Sequence, residues 1–519
     1  MRTLIHHLIA HRAQSHPDDP ALTYRDVTVT YGELWRDTVG SARQLSGLGV
    51  RRGDRVAVYL EKRLETVAAL FGVSAAGGVF VPINHVLKPA QVGHILTDSG
   101  ARILVTSAER LGQLTAALAG SAVEQIIVVG ETLPEVGGDH GVHLWDATPV
   151  AADDIGTGSA IDVDPAAILY TSGSTGRPKG VVLSHRNLIV GAESVSTYLH
   201  NTSDDVILSV LPLSFDAGLS QLTTAFAVGA HCVLMNYLLP RDVVKLCTAH
   251  GVTGLTCVPP LWLQLASVDW PEETAARLRY WANTGGRMPK TTLDRLRATF
   301  TQADPYLMYG LTEAFRSTYL DPAEVDRRPG SIGKAIPNAE VLVLRPDGTR
   351  CEPGEPGELV HRGALVALGY WNDPVRTAER FRPVAHIGQD WRAPELAVWS
   401  GDTVVADEEG FLSFVGRADD MIKTSGYRVS PTEIEEAVYG TGLVRDVVAI
   451  GVADEALGQR IVLVVSAGAE ALDERELVAA LRPTLPAYML PSRVQIRDDL
   501  PRSPNGKFDR PRIAAEVSA

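Results

Sequence analysis

The chain has 519 residues, and 48 Lys and Arg against 62 Asp and Glu give it a net charge of −14. An acidic balance argues against a nucleic-acid binder, whose surface is normally basic. At about 150 residues per domain, the length predicts roughly three domains or subdomains.

The four cysteines have no metal-binding spacing, and such thin cysteine use is typical of a reducing compartment. The N-terminal segment is too polar for a signal peptide. The uncharged window 66–87 contains Gly77, Gly78 and Pro82, so we expect a helix, a turn and a buried strand there. We therefore predict a cytoplasmic protein without a transmembrane segment.

Short apolar strands alternate with helical stretches through the first half of the chain. Residues 55–60, 102–108 and 166–173 read as strands, and each is followed by a stretch with helical patterning. This alternation predicts an α/β fold with helix-covered, mostly parallel sheets. From about Ser331 the strands are short and broken by turn residues, which predicts an antiparallel, β-barrel-like subdomain.

The C-terminal hundred residues have the texture of a small α+β domain. A hairpin is expected over 421–429, and Ser430, Pro431 and Glu433 then form the start signal of a helix. We predict a large N-terminal part, 1–415, and a small C-terminal part, 416–519.

The most informative segment is 170–180, YTSGSTGRPKG, which follows an apolar strand. Glycines let backbone N–H groups curl around an anion, hydroxyls add donors, and a lysine adds positive charge. The segment therefore predicts a phosphate-binding loop. The predicted phosphate ligands are Thr171, Ser172, Gly173, Ser174, Thr175, Gly176 and Lys179.

With this loop the chain resembles the AMP-forming adenylating enzymes, which comprise acyl-CoA synthetases, amino-acid-activating domains of peptide synthetases, and luciferases. Four further motifs follow in the family's order: YGLTE at 309–313, WSGD at 399–402, GRADDMIKTSGYR at 416–428 and PNGKFDR at 504–510. In finer texture the chain is similar to acyl-CoA ligases associated with exosortase systems. The resemblance implies an ATP-binding N-terminal core and a mobile C-terminal lid domain.

The resemblance assigns roles around the nucleotide. Thr312 and Glu313 match the residues that meet the phosphates and Mg²⁺, with Glu313 as the metal ligand, and Lys507 matches the catalytic lysine of adenylate formation. The adenosine moiety would be held by Thr284, Gly285, Gly286, Tyr309, Asp402 and Arg417. A carboxylate such as Asp402 offers two acceptor oxygens to the ribose diol.

The resemblance also implies that one site runs two reactions. The C-terminal domain would turn about a hinge at Asp419 after adenylation, withdraw Lys507, and present the hairpin with Lys423 and Gly426. A thiol, either CoA or the phosphopantetheine of a separate carrier protein, would then attack the acyl-adenylate.

The acid-binding pocket leaves two interpretations open. Asp216 is the one formal charge between 206 and 240, and a charge in such an apolar stretch requires a partner. Asp216 either receives the ammonium group of an amino acid, as its Phe-Asp context favours, or pairs with Arg316 and leaves room for a small neutral acid. Further pocket positions implied by the resemblance are Ala217, Ser220, Cys257, Ala282, Met308 and Ser317.

We therefore expect an ATP-dependent, AMP-forming ligase that activates a small carboxylic acid, with a lean towards an amino acid, and transfers it to a thiol. An acyl-CoA synthetase for a small non-amino acid is the alternative within the same chemistry. A nucleotide-binding relative without catalysis is the alternative from another class.

Overall fold

The computed structural model describes residues 2–134, 139–146, 160–171, 178–286, 288, 290–384, 391, 393–417, 421–467, 472–501 and 508–518. Three sheets organise these residues.

The N-terminal elements alternate between the first two sheets. In chain order they are α1 His7–Ser15, β1 Pro20–Tyr24, β2 Val27–Thr30, α2 Tyr31–Gly47, β3 Arg55–Tyr59, α3 Leu64–Ala75, β4 Val79–Pro82, α4 Pro89–Ser99, β5 Ile103–Ser107, α5 Ala108–Leu111, α6 Thr115–Ala119, β6 Gln125–Val129 and β7 Gly141–Leu144.

The middle of the chain continues in the same style. Its elements are β8 Pro165–Thr171, β9 Lys179–Ser184, α7 His185–Tyr198, β10 Val206–Ser209, α8 Asp216–Val228, β11 His231–Leu234, α9 Pro240–His250, β12 Gly254–Cys257, α10 Pro259–Leu265, α11 Glu272–Arg277, β13 Tyr280–Asn283, α12 Lys290–Thr299, β14 Asp304–Tyr309 and β15 Thr318–Leu320.

Antiparallel strands dominate the next stretch, and a smaller unit follows it. The elements up to 417 are β16 Ser331–Ala335, β17 Ala339–Leu344, β18 Pro356–Gly363, β19 Gly369–Tyr370, α13 Pro374–Arg380, β20 Phe381–Pro383, β21 Leu396–Ala406 and β22 Leu412–Arg417. The last elements are β23 Ile422–Thr424, β24 Tyr427–Val429, α14 Pro431–Gly440, β25 Val444–Asp454, β26 Gly458–Ala467, α15 Glu474–Leu481, β27 Arg493–Arg497 and α16 Arg510–Ser518.

The first sheet has eight strands in the order β19-β9-β8-β4-β3-β5-β6-β7. The second has fourteen, in the order β17-β18-β21-β22-β16-β15-β14-β13-β12-β10-β11-β1-β2, with β20 on β21. Side chains of both sheets, such as Leu169 and Met308, share one buried core with the helices between them. The mixed α/β class predicted from the alternating pattern is confirmed.

The pattern beyond Ser331 is antiparallel, as expected, and β15 and β16 join these strands to the parallel part of the second sheet. One strand was missed. Residues 179–184 follow the phosphate loop and pair antiparallel with β8, so the helix begins only at His185. The run Val181-Val182-Leu183 is β-branched and buried, which favours a strand.

The third sheet, β24-β23-β26-β25 with β27 on β26, belongs wholly to the C-terminal part. Its two faces carry separate apolar cores. The division between 415 and 416 stays a prediction. In the described residues no helix is both long and apolar enough to cross a membrane.

Candidate active site

A cavity of about 1430 Å³ opens where parallel strands of the second sheet end, beneath the C-terminal hairpin β23–β24. The carboxyl ends of such strands are where α/β folds gather functional side chains. The cavity is lined by many of the predicted positions: Thr171, Asp216, Ala217, Thr284, Gly285, Gly286, Met308, Tyr309, Thr312, Arg316, Asp402, Lys423 and Gly426.

Four predicted pocket residues do not line the large cavity. Cys257, the last residue of β12, is fully buried in an apolar core and does not line the large cavity. Ser317 is buried and hydrogen-bonds to His361 Nδ1 at 2.9 Å. Ser220 lines a second, small cavity of about 20 Å³. Ala282 is also buried and does not line the large cavity.

Lys179 and Glu313 form a buried ion pair; Glu313 follows Thr312, which lines the large cavity, although neither charged residue lines it itself. Lys179 Nζ lies 3.0 Å from Glu313 Oε1, and both groups bond the hydroxyl of Tyr370, at 2.8 and 2.7 Å. Burial opposes ionisation of Glu313, but the charges of Lys179 and Arg428 outweigh it and hold its pKa well below the usual range. Burial lowers the pKa of Lys179, and Glu313 partly offsets this.

Neither Tyr370 nor Arg428 was singled out from the sequence. Tyr370 stands in the two-residue strand β19, which pairs with β9 directly after the phosphate loop. Its hydroxyl reaches Glu313 only because the fold brings residues 57 positions apart together. No local pattern indicates such a contact.

Glu313 fits a magnesium ligand. Its Oε1 is occupied by Lys179 and Tyr370, whereas its buried Oε2 receives no hydrogen bond from the described residues. No group of three or more His, Cys, Asp or Glu that suits a metal occurs in those residues. Mg²⁺ is commonly held by one or two carboxylates, with substrate phosphates and water supplying the remaining ligands.

The opposite wall carries the groups expected for adenosine. Tyr309, at the end of β14, donates its hydroxyl to Asp402 Oδ2 at 2.6 Å, and this bond fixes the orientation of the carboxylate. Gly285 has φ +77°, and a side chain there would meet Val258 at 3.2 Å. Tyr309, Asp402 and Gly285 therefore enclose one region of the cavity.

The question of Asp216 receives a geometric answer. Arg316 Nη1 donates to Asp216 Oδ2 at 2.9 Å and to the carbonyl oxygen of Phe315 at 3.0 Å. Arg316 is only 2% exposed. Burial raises the pKa of Asp216, and the charge of Arg316 partly counters this rise. Asp216 thus has a cationic partner within the protein.

The predicted hairpin over 421–429 is present, with Ser425 (φ 53°) and Gly426 (φ 81°) at its turn. A side chain on Gly426 would come within 2.8 Å of Val258, so the turn lies directly against the N-terminal part. Tyr427 packs edge-on against Phe215, with ring centroids 5.0 Å apart. The hairpin thereby forms one wall of the cavity.

The predicted start of α14 is partly seen and partly used for docking. Ser430 Oγ accepts the N–H of Glu433, as a helix cap does. The Glu433 carboxylate accepts a hydrogen bond from Gln91 of α4 at 2.9 Å. Gln91 and Glu433 therefore link the two parts of the chain.

Several predicted residues lie outside the described residues. They are Ser172, Gly173, Ser174, Thr175, Gly176, Asp419 and Lys507, together with the side chain of Arg417.

Comparison with known proteins gives the same family along the whole chain. The model described as AMP-binding enzyme matches residues 9–371, and that of the AMP-binding enzyme C-terminal domain matches 433–507. The long-chain-fatty-acid–CoA ligase of Escherichia coli O157:H7 is 31% identical over 541 residues, covering 96% of this chain and 92% of that protein. A linear gramicidin synthase from Brevibacillus parabrevis is 31% identical over 516 residues, which is 98% of this chain but only 6% of that much longer protein.

Among solved structures, o-succinylbenzoate CoA synthetase from Bacillus subtilis superposes with a TM-score of 0.81 at 26% identity, covering 98% of both chains. Its large N-terminal and small C-terminal parts match the division of sheets described above. The chain therefore belongs to the AMP-binding enzyme family, as an AMP-forming acid–thiol ligase.

Proposed function

We propose that the chain activates a small carboxylic acid that lacks an α-ammonium group, and then transfers the acyl group to a thiol. In the first reaction a carboxylate oxygen attacks the α-phosphorus of ATP, and pyrophosphate leaves. In the second, a thiol loses its proton, its sulfur attacks the acyl carbon, and AMP leaves. Oxygen, sulfur and phosphorus are neither oxidised nor reduced.

The observation that carries this choice of acid is the pairing of Asp216 with Arg316. Arg316 already gives Asp216 a buried cationic partner at 2.9 Å, so a substrate ammonium would either bring a second positive charge next to the guanidinium or have to displace it. Breaking such a pair leaves an uncompensated charge in a dry site, which is costly. The ion pair therefore favours the non-amino acid over the amino acid to which the Phe-Asp motif alone points.

An amino acid is the second candidate. Phe215-Asp216 matches the amino-acid-activating pattern, and the linear gramicidin synthase is among the relatives. This candidate requires Arg316 to share Asp216 with the substrate ammonium or to release it when the substrate enters.

The remaining roles in binding ATP fall to residues that line the cavity or lie close to it in the chain. Thr171, Thr312 and Lys179 bind phosphate oxygens, Asp402 accepts the ribose hydroxyls, and Tyr309 holds Asp402 in place. Glu313 would hold Mg²⁺, whose positive charge would offset the charge of the phosphates. Lys507 would add a second cation in the first reaction only.

The docked hairpin corresponds to the arrangement that the family resemblance implies for thiol transfer. Gly426 and Lys423 line the cavity, and glycine permits a thin thiol-bearing arm to pass close to the backbone. CoA or the phosphopantetheine of a separate carrier protein would both present such an arm.

The test is pyrophosphate release over a panel in which each amino acid is paired with its des-amino analogue. We expect the des-amino acid to turn over faster in most pairs. A consistent preference for the amine would return the assignment to the second candidate. If no acid of the panel stimulated pyrophosphate release in the presence of ATP and Mg²⁺, the proposed activity itself would be contradicted.

A further inference from the structure

The large cavity and the small cavity share one boundary, and this boundary contains a charged side chain, Arg316. Ala217, Met308 and Arg316 line both the large cavity and the small one of about 20 Å³. These side chains therefore stand between the two spaces. Asp216 lines the large cavity alone and holds Arg316 in place through the 2.9 Å contact.

Beyond this wall lies a partly apolar interior. Besides Met308 and Arg316, the small cavity is bordered by apolar side chains and by a similar number of polar ones: Val195, Leu199, Ile207 and Ala217, and Ser220, Gln221, Thr224, Thr256 and Tyr280. An acyl chain could lie in such surroundings, but a volume of about 20 Å³ holds no more than a water molecule. The space beyond becomes useful to a substrate only if the Arg316 side chain is absent.

Arg316 is held from several directions. Nη1 bonds Asp216 and the Phe315 carbonyl, the guanidinium lies 5.9 Å from the Phe315 ring, and Gly310 packs on its backbone. The Nε–H group of Arg316 is buried and donates no hydrogen bond to the described residues. A side chain fixed in this way makes a rigid boundary for an acid substrate, because moving it would separate the buried pair.

We propose that the Asp216–Arg316 pair is the floor of the acid pocket and sets an upper limit on the length of the acid. The inference rests on the proposed function and adds the substrate class: short acids, whose chain ends before Arg316. A longer unbranched chain would have to push into a desolvated ion pair, which offers it no apolar contact.

The experiment compares two double variants with the wild type. Asp216→Ala/Arg316→Ala removes the floor, whereas Asp216→Asn/Arg316→Met removes the charges but keeps most of the volume. Both changes remove the two partners together, so that no lone buried charge remains. Pyrophosphate release is measured for a series of unbranched acids whose chain length increases from about two to about sixteen carbons.

We expect the wild type to lose kcat/KM steeply beyond a short length. The alanine pair should shift the optimum by several carbons and raise the ratio of long-acid to short-acid kcat/KM at least roughly tenfold. The Asn/Met pair keeps most of the volume but loses the attraction that fixes the side chain, so its cut-off should move less than that of the alanine pair. Adding Thr224→Leu to the alanine pair should refill the opened space and return the cut-off towards the wild type.

An unchanged length profile in the alanine pair would overturn the inference, and so would a wild type that uses long acids best. Either result still involves acid-dependent pyrophosphate release and so leaves the adenylation reaction itself intact, whereas a wild type that uses long acids best would also contradict the small acid of the proposed function. Binding of acyl-sulfamoyl-adenosines of increasing length gives the same profile without turnover. If the wild type bound these analogues equally at all lengths, the inference would likewise be overturned. This outcome does not depend on the activity or folding of any variant.

Discussion

Single charges in this molecule are placed where their partners decide their effect. Glu313 is 4% exposed and lies against one lysine, whereas Asp402 is 5% exposed and is held by a tyrosine hydroxyl. The ion pair keeps Glu313 negatively charged, as its predicted role as a Mg²⁺ ligand requires. The tyrosine hydroxyl orients Asp402 as an acceptor.

Replacing Lys179 with Met should separate stability from activity. Loss of the cation leaves the buried carboxylate of Glu313 with the charge of Arg428 and the hydroxyl of Tyr370 but without its ion-pair partner, which costs up to about 3–5 kcal/mol of unfolding free energy. Pyrophosphate release should fall by on the order of 100-fold or more, since one positioned charge near the phosphates is lost. Denaturant unfolding and the pyrophosphate assay measure the two effects.

The double variant Lys179→Met/Glu313→Gln is the matched control, because both charges of the pair are gone. We expect it to regain most of the lost stability and none of the lost activity. If the double variant were as unstable as the single one, the ion pair would not be the reason for the loss.

The buried histidines predict acid sensitivity. His361 is fully buried, and desolvation lowers its pKa to about 4 from an ordinary value of 6.5. Between these values the unfolded chain binds a proton that the folded chain does not, so stability falls as the pH falls through 6.5 towards 4. From pH 6.5 to 5 this amounts to about 2 kcal/mol for one such histidine. His85, His185 and His231 act in the same direction.

His361→Gln should therefore flatten the pH dependence of stability by about one proton in this window. Urea unfolding at pH 7, 6 and 5 measures the slope. His16→Gln, a change on the exposed surface, serves as the comparison. An identical slope for the wild type and His361→Gln would mean that His361 is charged in the folded protein.

At the scale of elements, the β23–β24 hairpin shows why a turn residue is chosen. Gly426 (φ 81°) and Gly442 (φ 70°) both adopt a conformation that disfavours other residues. A side chain on Gly426 meets Val258, whereas one on Gly442 meets nothing within 4 Å. The two glycines therefore separate backbone strain from docking.

Gly426→Ala should slow thiol transfer from a supplied acyl-adenylate by roughly 10- to 100-fold, because the hairpin can no longer rest against Val258. Gly442→Ala should cost a similar 1–2 kcal/mol of backbone strain, as an order of magnitude, and leave the transfer rate unchanged. Thioester formation is followed for both variants. Equal rates would show that docking at Val258 is dispensable.

Sequence patterns predicted the elements better than their partners. The strands of the parallel sheets, the antiparallel stretch and the hairpin at 421–429 all follow from local periodicity. Strand β9 was missed because it has only six residues. It lies between a glycine-rich loop and the start of a helix, and these two signals hide its alternating pattern. Cys257 was expected at the pocket from the family resemblance alone, and its burial in an apolar core depends on how distant segments pack around β12.

The pocket shows the same limit at the level of a contact. Asp216 and Arg316 were each marked by the sequence, but only the fold, which places residues 100 positions apart side by side, decides between a substrate partner and an internal one. Tyr370 carried no marker at all. Contacts between distant segments are therefore what the sequence leaves undetermined.

For the whole molecule, the link between Gln91 and Glu433 offers a test of the predicted domain rotation. In a Cys351→Ser background, Gln91→Cys/Glu433→Cys joined by a short cleavable bismaleimide should hold the C-terminal part in its present orientation. The other three cysteines are buried. Thioester formation from supplied acyl-adenylate should persist, and pyrophosphate release should fall by on the order of 100-fold.

Cleavage of the linker should restore pyrophosphate release, and each single-cysteine variant treated with the reagent is the control. Undiminished pyrophosphate release by the linked protein would contradict the rotation about a hinge near Asp419.

The shared wall of the cavity also bears on how products leave. Gly426 O lies 3.7 Å from the position of a side chain on Gly285, so the hairpin reaches the part of the cavity where adenosine is predicted to bind. AMP formed beneath a docked hairpin would have to wait for that hairpin to lift. We therefore expect the lifting of the hairpin to limit the steady-state turnover of this ligase. A more viscous medium should then slow turnover more than a less reactive acid does.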